Sequence, residues 1–191
     1  FTYVGYSGEY AAAGYGAATR IEQVLLLPIL GINTAIISII AQNYGAKNYG
    51  RIKESYYTAI KYAFVIMLTS SIIIFFTAGI IPTFFSDNIE VIHYGKKYLQ
   101  ISAFVLPAYP IFFLSNGFFM ALKKSENALI TNFFRNVLLP ITTFYFAMYI
   151  SADFNTFFWL WVISNWIFSL SLLSIVLYYI QKKLQKPATV I

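Results

Sequence analysis

The sequence predicts an all-α integral membrane protein with five transmembrane helices. Of its 191 residues, 59% are hydrophobic and only 10% are charged, whereas a soluble domain carries about 25% charged residues. Mean hydropathy is +0.68. Long uncharged stretches alternate with short polar ones. This many hydrophobic residues cannot all be hidden inside a water-soluble globule of this size, so most of them must face lipid or neighbouring helices.

Composition and charge argue against several other classes of protein. The net charge is +6, but the basic residues cluster in short loops between apolar segments, which argues against a nucleic-acid partner. The absence of cysteine excludes disulfides and cysteine-based metal sites, and a lone His93 cannot build a metal site. With no paired carboxylates, nucleophile with base or phosphate-cradling loop, the sequence indicates a protein that is not an enzyme. It predicts neither a metal site nor a bound cofactor.

The first predicted span covers residues 11–44 and contains two charged side chains, Arg20 and Glu22. At about 1.5 Å per residue it is near 50 Å long, so it must tilt, kink or protrude from a hydrocarbon layer of about 30 Å. Pro28 and Gly31 are the predicted kink point, and Gly45 the predicted stop. Residues 1–10 are predicted to be an extracytoplasmic connection from a preceding helix. Charged side chains at membrane depth are costly and typically mark a function.

Four more spans follow, and prolines are predicted to end or break two of them. Pro82 is predicted to end the second span, with Ser86 or Asp87 capping the next helix. Pro107 and Pro110 predict that the third span is bent or locally broken. The last four spans are predicted at residues 57–81, 90–122, 128–150 and 154–180.

The loops between the spans alternate in charge. Those at residues 45–53, 123–127 and 181–186 carry lysine and arginine, whereas those at 82–90 and 151–155 carry acids and no basic residue. The positive-inside rule therefore places the first group, the C-terminus and a tail at 187–191 in the cytoplasm. Lys96 and Lys97 are exceptions, because this topology places them on the outer side. The predicted location is a prokaryotic cytoplasmic membrane.

The first span resembles a segment of the multidrug and toxic compound extrusion (MATE) transporters. The second helix of each six-helix lobe in that family begins rich in alanine and glycine, continues with Arg-Ile-Glu and Pro-x-x-Gly, and closes with Gly-Gln-x-x-Gly-Ala. This chain matches at residues 11–16, 20–22, 28–31 and 41–46, with Ala41 in place of the first glycine of the closing motif.

This resemblance implies that the five spans correspond to helices 8 to 12 of a twelve-helix transporter. Because the sequence begins at Phe1 rather than methionine, we expect an N-terminal lobe and a preceding helix to be missing partners. Some MATE transporters also bind a coupling cation through an acid in the fourth helix of the C-terminal lobe. Residues 111–116 contain no acid at the corresponding place, which argues against that sodium site.

Several polar residues are candidates for binding the coupling ion or the substrate. Glu22 is either a proton or cation carrier or a structural carboxylate that bonds a neighbouring helix. Arg20 points about 200° away from it and is expected to snorkel. Asn33 lies three turns beyond Glu22 on nearly the same face. The full set of ion or substrate candidates is Glu22, Arg20, Asn33, Asn116 and Asn165, and the gate or anchor candidates are Gln42, Asn43 and Arg135.

The function implied by the resemblance is secondary antiport, with export of organic cations or other amphiphiles in exchange for protons or sodium. The partners it implies are a small amphiphilic substrate and the lipid bilayer. Two alternatives remain open. One is a flippase for lipid-linked oligosaccharides, which needs a strongly cationic cavity, and the other is a five-helix assembly subunit complete in itself.

Overall fold

The computed structural model describes residues 8–183, and within them the chain is helical and contains no strand. The predicted all-α membrane fold is confirmed. Three helices are long and apolar enough to span a bilayer alone, and the third and fourth predicted spans each consist of two helices. The α-helices are α1 Glu9–Gly45, α2 Tyr49–Thr77, α3 Ile89–Ser102, α4 Ala108–Ala121, α5 Ser125–Phe133, α6 Leu139–Tyr149 and α7 Phe154–Lys183. Residues 1–7 of the predicted connection, residues 184–186 of the last basic loop and the predicted tail 187–191 lie outside the described range.

Helix α1 is continuous over 37 residues and contains Pro28. It ends at Gly45, the predicted stop, and the left-handed residue in the turn that follows is Lys47, with φ 54°. The turn is held by backbone hydrogen bonds from Ala46 to Gln42 and from Asn48 to Asn43, so the stop depends on local backbone pairing rather than on glycine.

Two predictions about the second and third helices were wrong. Helix α2 ends at Thr77, and Pro82 lies beyond it in a short 3-10 helix, Ile81–Phe84. The residue that caps α3 is Asn88, whose side-chain oxygen accepts hydrogen bonds from the backbone of Glu90 and Val91. The cap is one residue later than predicted because the Asn88 oxygen reaches two free N–H groups of the first turn.

The third span is broken, as its prolines predict. Residues 103–107 form turns between α3 and α4, and the break exposes carbonyl groups that a continuous helix would satisfy. The Ser71 hydroxyl of α2 donates to the Ala103 carbonyl at 2.5 Å, and the Trp166 indole of α7 donates to the Phe104 carbonyl at 2.8 Å. Irregular backbone at membrane depth is tolerated where neighbouring helices supply such partners.

The fourth span contains a π-helical segment, Phe134–Leu138, between α5 and α6. Pro140 lies at the start of α6 and has no N–H to donate, which interrupts the regular hydrogen-bond ladder at this point. Single π turns of this kind often occur at functional sites. Here the segment contains Arg135.

Helix α4 lies at the centre of the fold. Twelve of its 14 residues are buried, and α1, α2, α5 and α7 pack around it. The outer helices instead expose large apolar side chains such as Phe76, Tyr149 and Ile167. In a bilayer such exposure is expected, since lipid tails are as apolar as these side chains.

A glycine lies at a close contact between α1 and α3. A Cβ added to Gly14 would lie 2.6 Å from the Val91 carbonyl oxygen and 2.8 Å from the Gly95 nitrogen. The missing side chain of Gly14 therefore permits close contact between the two helices. At Gly16 a Cβ would meet nothing within 4 Å among the described residues.

Candidate functional site

The site is built around the Glu22 carboxylate, which is buried with only 8% of its surface exposed. The Tyr98 hydroxyl of α3 donates to Oε2 at 2.5 Å, and the Tyr109 hydroxyl of α4 donates to Oε1 at 2.5 Å. Glu22 therefore receives one hydrogen bond on each oxygen, from two different helices. Charge-assisted bonds of this kind are about twice as strong as neutral ones.

Tyr15 extends this cluster on the same face of α1, seven residues before Glu22. Its ring meets the Tyr98 ring edge-on at 4.9 Å and stacks on Phe158 of α7 at 5.6 Å. Phe158 also packs edge-on against the Tyr98 ring, with the ring centroids 4.9 Å apart. The Tyr98 ring is thus fixed by packing while its hydroxyl points at the carboxylate.

Arg135 brings a positive charge to the same region. Its guanidinium carbon lies 4.3 Å from the Phe112 ring centroid, 5.0 Å from that of Tyr109 and 5.6 Å from that of Phe113. Cations are attracted to aromatic faces at such distances. Arg135 also interacts electrostatically with Glu22, so the gate or anchor candidate of the sequence lies in the same region as the ion candidate, against the Tyr109 ring.

A cavity of about 380 Å³ opens next to Glu22. Its walls come from α1, α3, α4, α6 and α7, which makes it the meeting point of five helices. The lining combines polar groups with aromatic rings and consists of Tyr15, Thr19, Glu22, Gln23, Leu26, Tyr98, Tyr109, Pro140, Phe157, Phe158 and Trp161. Concave sites with aromatic walls and a few polar groups are typical of small-molecule pockets.

Arg20 does not join this cavity. It is exposed and is absent from the lining. The two-residue separation from Glu22 explains this, because side chains at i and i+2 point to different sides of a helix.

Asn33 faces α4, as Glu22 does. Its side-chain oxygen lies so close to Gly117 that a Cβ added there would collide with it. Within residues 8–183 this buried oxygen has no hydrogen-bond partner. Glu22 and Asn33 therefore both meet α4, but at different depths, at Tyr109 and at Gly117.

Asn116 and Asn165 differ in what they bond. The Asn116 amide donates to the Ala128 carbonyl at 3.0 Å and to the Thr131 hydroxyl at 2.7 Å, and its oxygen accepts from Asn132 at 3.3 Å. It therefore connects α4 to α5. Asn165 donates to the carbonyl of Trp161 in its own helix at 2.9 Å.

Gln42 and Asn43 bond within the last turns of α1. Gln42 donates to the Ser38 hydroxyl at 3.4 Å, and Asn43 donates to the Ile39 carbonyl at 2.8 Å. Both bonds stabilise the helix end. Neither residue lines the Glu22 cavity.

Sequence reasoning missed Tyr98 and Tyr109, the two residues that bond Glu22. With 16 tyrosines in the chain, nothing in the pattern distinguishes these two. Tyr15 did carry a signal, because seven residues are close to two helical turns and place it on the Glu22 face. Across the described part of the chain, no group of three or more His, Cys, Asp or Glu side chains could hold a metal ion.

Fold and site together define a polytopic α-helical membrane protein with a buried carboxylate at the wall of a cavity between its helices. The MatE family model matches residues 2–146, so the chain belongs to the MATE family of transporters.

Curated relatives include transporters from two bacteria. The FAD transporter of Shewanella oneidensis is 26% identical over 142 residues, covering 74% of this chain and 31% of that protein. The probable multidrug resistance protein YpnP of Bacillus subtilis is 25% identical over 125 residues, covering 65% of this chain and 28% of that protein. The chain thus spans about a third of the length of these curated relatives.

Solved structures show the same fold. A MOP superfamily transporter from Pyrococcus furiosus is 26% identical and superposes with a TM-score of 0.87, over 95% of this chain and 41% of that one. A MATE transporter in complex with MaL6 superposes equally well at 23% identity, over 94% of this chain and 41% of that one. More than half of each of these transporters has no counterpart in the 191 residues.

Proposed function

We propose that the chain forms part of a secondary active multidrug efflux antiporter that exchanges organic cations or other amphiphiles for protons or sodium across the cytoplasmic membrane. One observation carries the proposal: the buried Glu22 carboxylate, bonded by Tyr98 and Tyr109, lies in the wall of a cavity large enough for a small amphiphile. A carboxylate in such a place needs a proton, a cation or a basic partner.

A proton fits the site better than sodium does. Both tyrosine hydroxyls point their hydrogens at the carboxylate, so their oxygens are turned away from a metal ion bound there. Arg135 adds a positive charge nearby, which repels a second cation. A proton needs only one free lone pair on Glu22.

Protonation at Glu22 would affect both halves of the broken third span. Tyr98 lies before the break at residues 103–107 and Tyr109 lies after it, and both donate to the same carboxylate. A neutral carboxyl group accepts weaker hydrogen bonds than a carboxylate does. Loading the proton therefore loosens α3 and α4 from α1 together, which supplies a physical link between ion binding and helix movement.

The substrate in this proposal is cationic or neutral rather than anionic. The cavity presents one carboxylate among aromatic side chains, and its lining within residues 8–183 contains no lysine or arginine. An anion such as the FAD carried by the Shewanella relative would meet like charge there. Aromatic faces such as Phe158 and Trp161 instead attract organic cations.

Transport by alternating access needs a second lobe that moves against this one. We propose that a lobe resembling the unmatched part of the relatives, together with a preceding helix, completes the cavity. In this proposal the C-terminus of the chain lies in the cytoplasm, which the positive-inside rule favours for the side that carries the basic loops. We further propose a prokaryotic source.

The same cavity weighs against the flippase alternative. A pyrophosphate-linked substrate needs several cationic groups, but Arg20 is exposed outside the cavity and Arg135 packs against three aromatic rings. The assembly-subunit alternative requires no cavity at all. A substitution in the cavity that stops exchange without affecting insertion therefore distinguishes transport from assembly.

The experiment uses the whole gene product reconstituted in liposomes with an imposed pH or sodium gradient and a fluorescent organic cation. We expect Glu22→Gln to abolish pH-driven uptake while membrane insertion stays normal. Glu9→Gln, an exposed acid on the same helix, is the matched control and should exchange at the normal rate. Unchanged pH-driven exchange in Glu22→Gln would exclude the role given to Glu22.

A further inference from the structure

A second, separate groove lies on the outer surface of the fold. It lies between α2, the break at residues 103–107 and α7, and has a volume of about 500 Å³, within the range of small-molecule sites. Its lining is almost wholly apolar and aromatic, including Leu68, Ile72, Phe75, Phe104, Trp159 and Trp166. It shares no residue with the Glu22 cavity.

The groove continues into a second compartment of about 380 Å³, whose lining includes three polar side chains. The two compartments share Phe75, Phe104 and Trp159 as a common wall. The second one adds Lys97 and Gln100 of α3 and Asn155 of α7. Together they form one groove that is apolar along most of its length and ends in one ammonium group and two amides.

The polar end has unmet bonding capacity. Within residues 8–183 Lys97 makes no ion pair, and the Asn155 side-chain oxygen is buried without a hydrogen-bond donor. A buried acceptor left unpaired is destabilising. Lys97 is also one of the two lysines that the predicted topology places on the outer side, against the positive-inside rule. The topology therefore does not explain why a lysine lies at this position.

The bilayer itself supplies an occupant of matching chemistry. Within residues 8–183, Ile72 and Phe76, which line the groove, expose 53% and 78% of their surface, so the apolar part is open to lipid tails on this side of the chain. Asn155 is the second residue of α7, which places the polar end near the membrane surface. A glycerophospholipid presents a phosphate and an acyl chain in this same order.

We propose that this groove binds one molecule of an anionic glycerophospholipid, phosphatidylglycerol. Lys97 and Gln100 donate to its phosphate, a glycerol hydroxyl donates to the Asn155 oxygen, and one acyl chain lies along the aromatic wall beside the break. The inference goes beyond the proposed transport function and does not depend on it. Because the lipid would cover Phe104, it also shields the carbonyl groups of the broken span from other hydrogen-bond donors.

The test is native mass spectrometry of the whole gene product in a neutral detergent, titrated with phosphatidylglycerol. Lys97→Gln is compared with Lys96→Gln, which makes the same change of charge one residue earlier. The Lys96 side chain runs towards Gly79 and does not line the groove. A lysine near the membrane surface contributes about 1 kcal/mol to anionic lipid binding, so we expect Lys97→Gln to weaken the first bound lipid about fivefold and Lys96→Gln to leave it unchanged.

A second readout locates the acyl chain. Phosphatidylglycerol with a photoreactive diazirine on its chain should label peptides that contain Phe75, Phe104 or Trp159. Ile72→Trp, which fills the apolar part from an exposed position, should reduce this labelling. Inorganic phosphate at millimolar concentration should not displace the lipid, because it lacks the chain that the groove holds.

Three results would overturn the proposal. Equal weakening by the Lys96 and Lys97 substitutions would mean that the lipid responds only to overall charge. Displacement by free phosphate would mean an anion site without a lipid. Labelling spread evenly over all exposed helices, or absent from the groove because another protein segment covers it, would mean that this groove holds no bound lipid.

Discussion

Replacing Gly14 by alanine tests how tightly α1 and α3 are packed. The obstacles to the new methyl group are backbone atoms, the Val91 oxygen at 2.6 Å and the Gly95 nitrogen at 2.8 Å. Ordinary contact begins at 3.4 Å, and backbone atoms cannot change rotamer, so the two helices must move apart by several tenths of an ångström. Overpacking of this kind costs about 1–3 kcal/mol.

The same movement should disturb the Glu22 site, because Tyr98 follows Gly95 by three residues and bonds the carboxylate from α3. We therefore expect Gly14→Ala to lower both stability and pH-driven exchange. Stability is measured by equilibrium unfolding in mixed micelles with increasing SDS, and exchange in liposomes.

Gly16→Ala is the matched control for this substitution. A methyl group there meets nothing within 4 Å among residues 8–183, and alanine favours a helix over glycine by up to about 1 kcal/mol. Gly16→Ala should therefore be neutral or slightly stabilising. Equal stability of the two variants would refute the close approach of α1 and α3.

Three further predictions concern single polar groups. Tyr98→Phe removes one of the two hydrogen bonds to Glu22, and hydrogen bonds to charged groups contribute about 1.5–3 kcal/mol. We therefore expect the pH at which exchange is half-maximal to shift, while the dependence of exchange on sodium stays unchanged. Asn116→Ala removes the connection between α4 and α5 and should destabilise the fold by about 1–2 kcal/mol in SDS unfolding, whereas a loss below 0.5 kcal/mol would contradict it. Asp153, in the turn before α7, accepts hydrogen bonds from the side chain and backbone of Thr156 that hold its pKa below its ordinary value. Its stabilising effect is therefore present above the unfolded-state pKa and is lost as the pH falls through the lowered one. Asp153→Ala should lower the free energy of unfolding by about 1 kcal/mol at neutral pH. Asp153→Asn should change it little and should remove its dependence on acid. If Asp153→Ala left the free energy of unfolding unchanged, the hydrogen bonds from Thr156 would contribute nothing to stability.

The spans could be predicted because membrane thickness imposes long apolar segments and proline interrupts them. The break in the third span followed directly from Pro107 and Pro110. The helix ends could not be placed as well. Lys47, Lys123 and Ser151 take left-handed backbone conformations in the turns, and sequence rules expect glycine there.

The site was predictable only where burial is expensive. Glu22 was found because a carboxylate at membrane depth needs an explanation, and Asn33 followed from helical spacing. Tyr98 and Tyr109 were missed because aromatic side chains are common in apolar segments. The hydrogen-bond partner of each hydroxyl lies on another helix, so the local sequence does not show it. Whether a phenol bonds a carboxylate depends on how helices pack, which the local sequence does not encode.

The position of α4 shows how this fold is specified without a hydrophobic driving force. Inside a bilayer an apolar side chain gains little by leaving lipid for a protein interior, so apolar burial alone does not select the central helix. Helix α4 is distinguished by small and polar residues on several of its faces, each meeting a different neighbour. Tyr109 bonds Glu22 of α1, Ser115 contacts the Tyr56 hydroxyl of α2 at 2.8 Å, and Asn116 bonds α5.

These polar contacts lie at successive depths along α4, so they fix its rotation as well as its position. Gly117 adds a fourth contact, where the absence of a side chain leaves room for Asn33 of α1. If α4 turned by one residue, every one of these groups would face the wrong helix at a cost of several unpaired polar atoms in a low-dielectric interior. The bond between Tyr109 and Glu22 is therefore part of the same set of contacts that specifies the fold, and the group we propose to exchange protons is also one that orients the central helix.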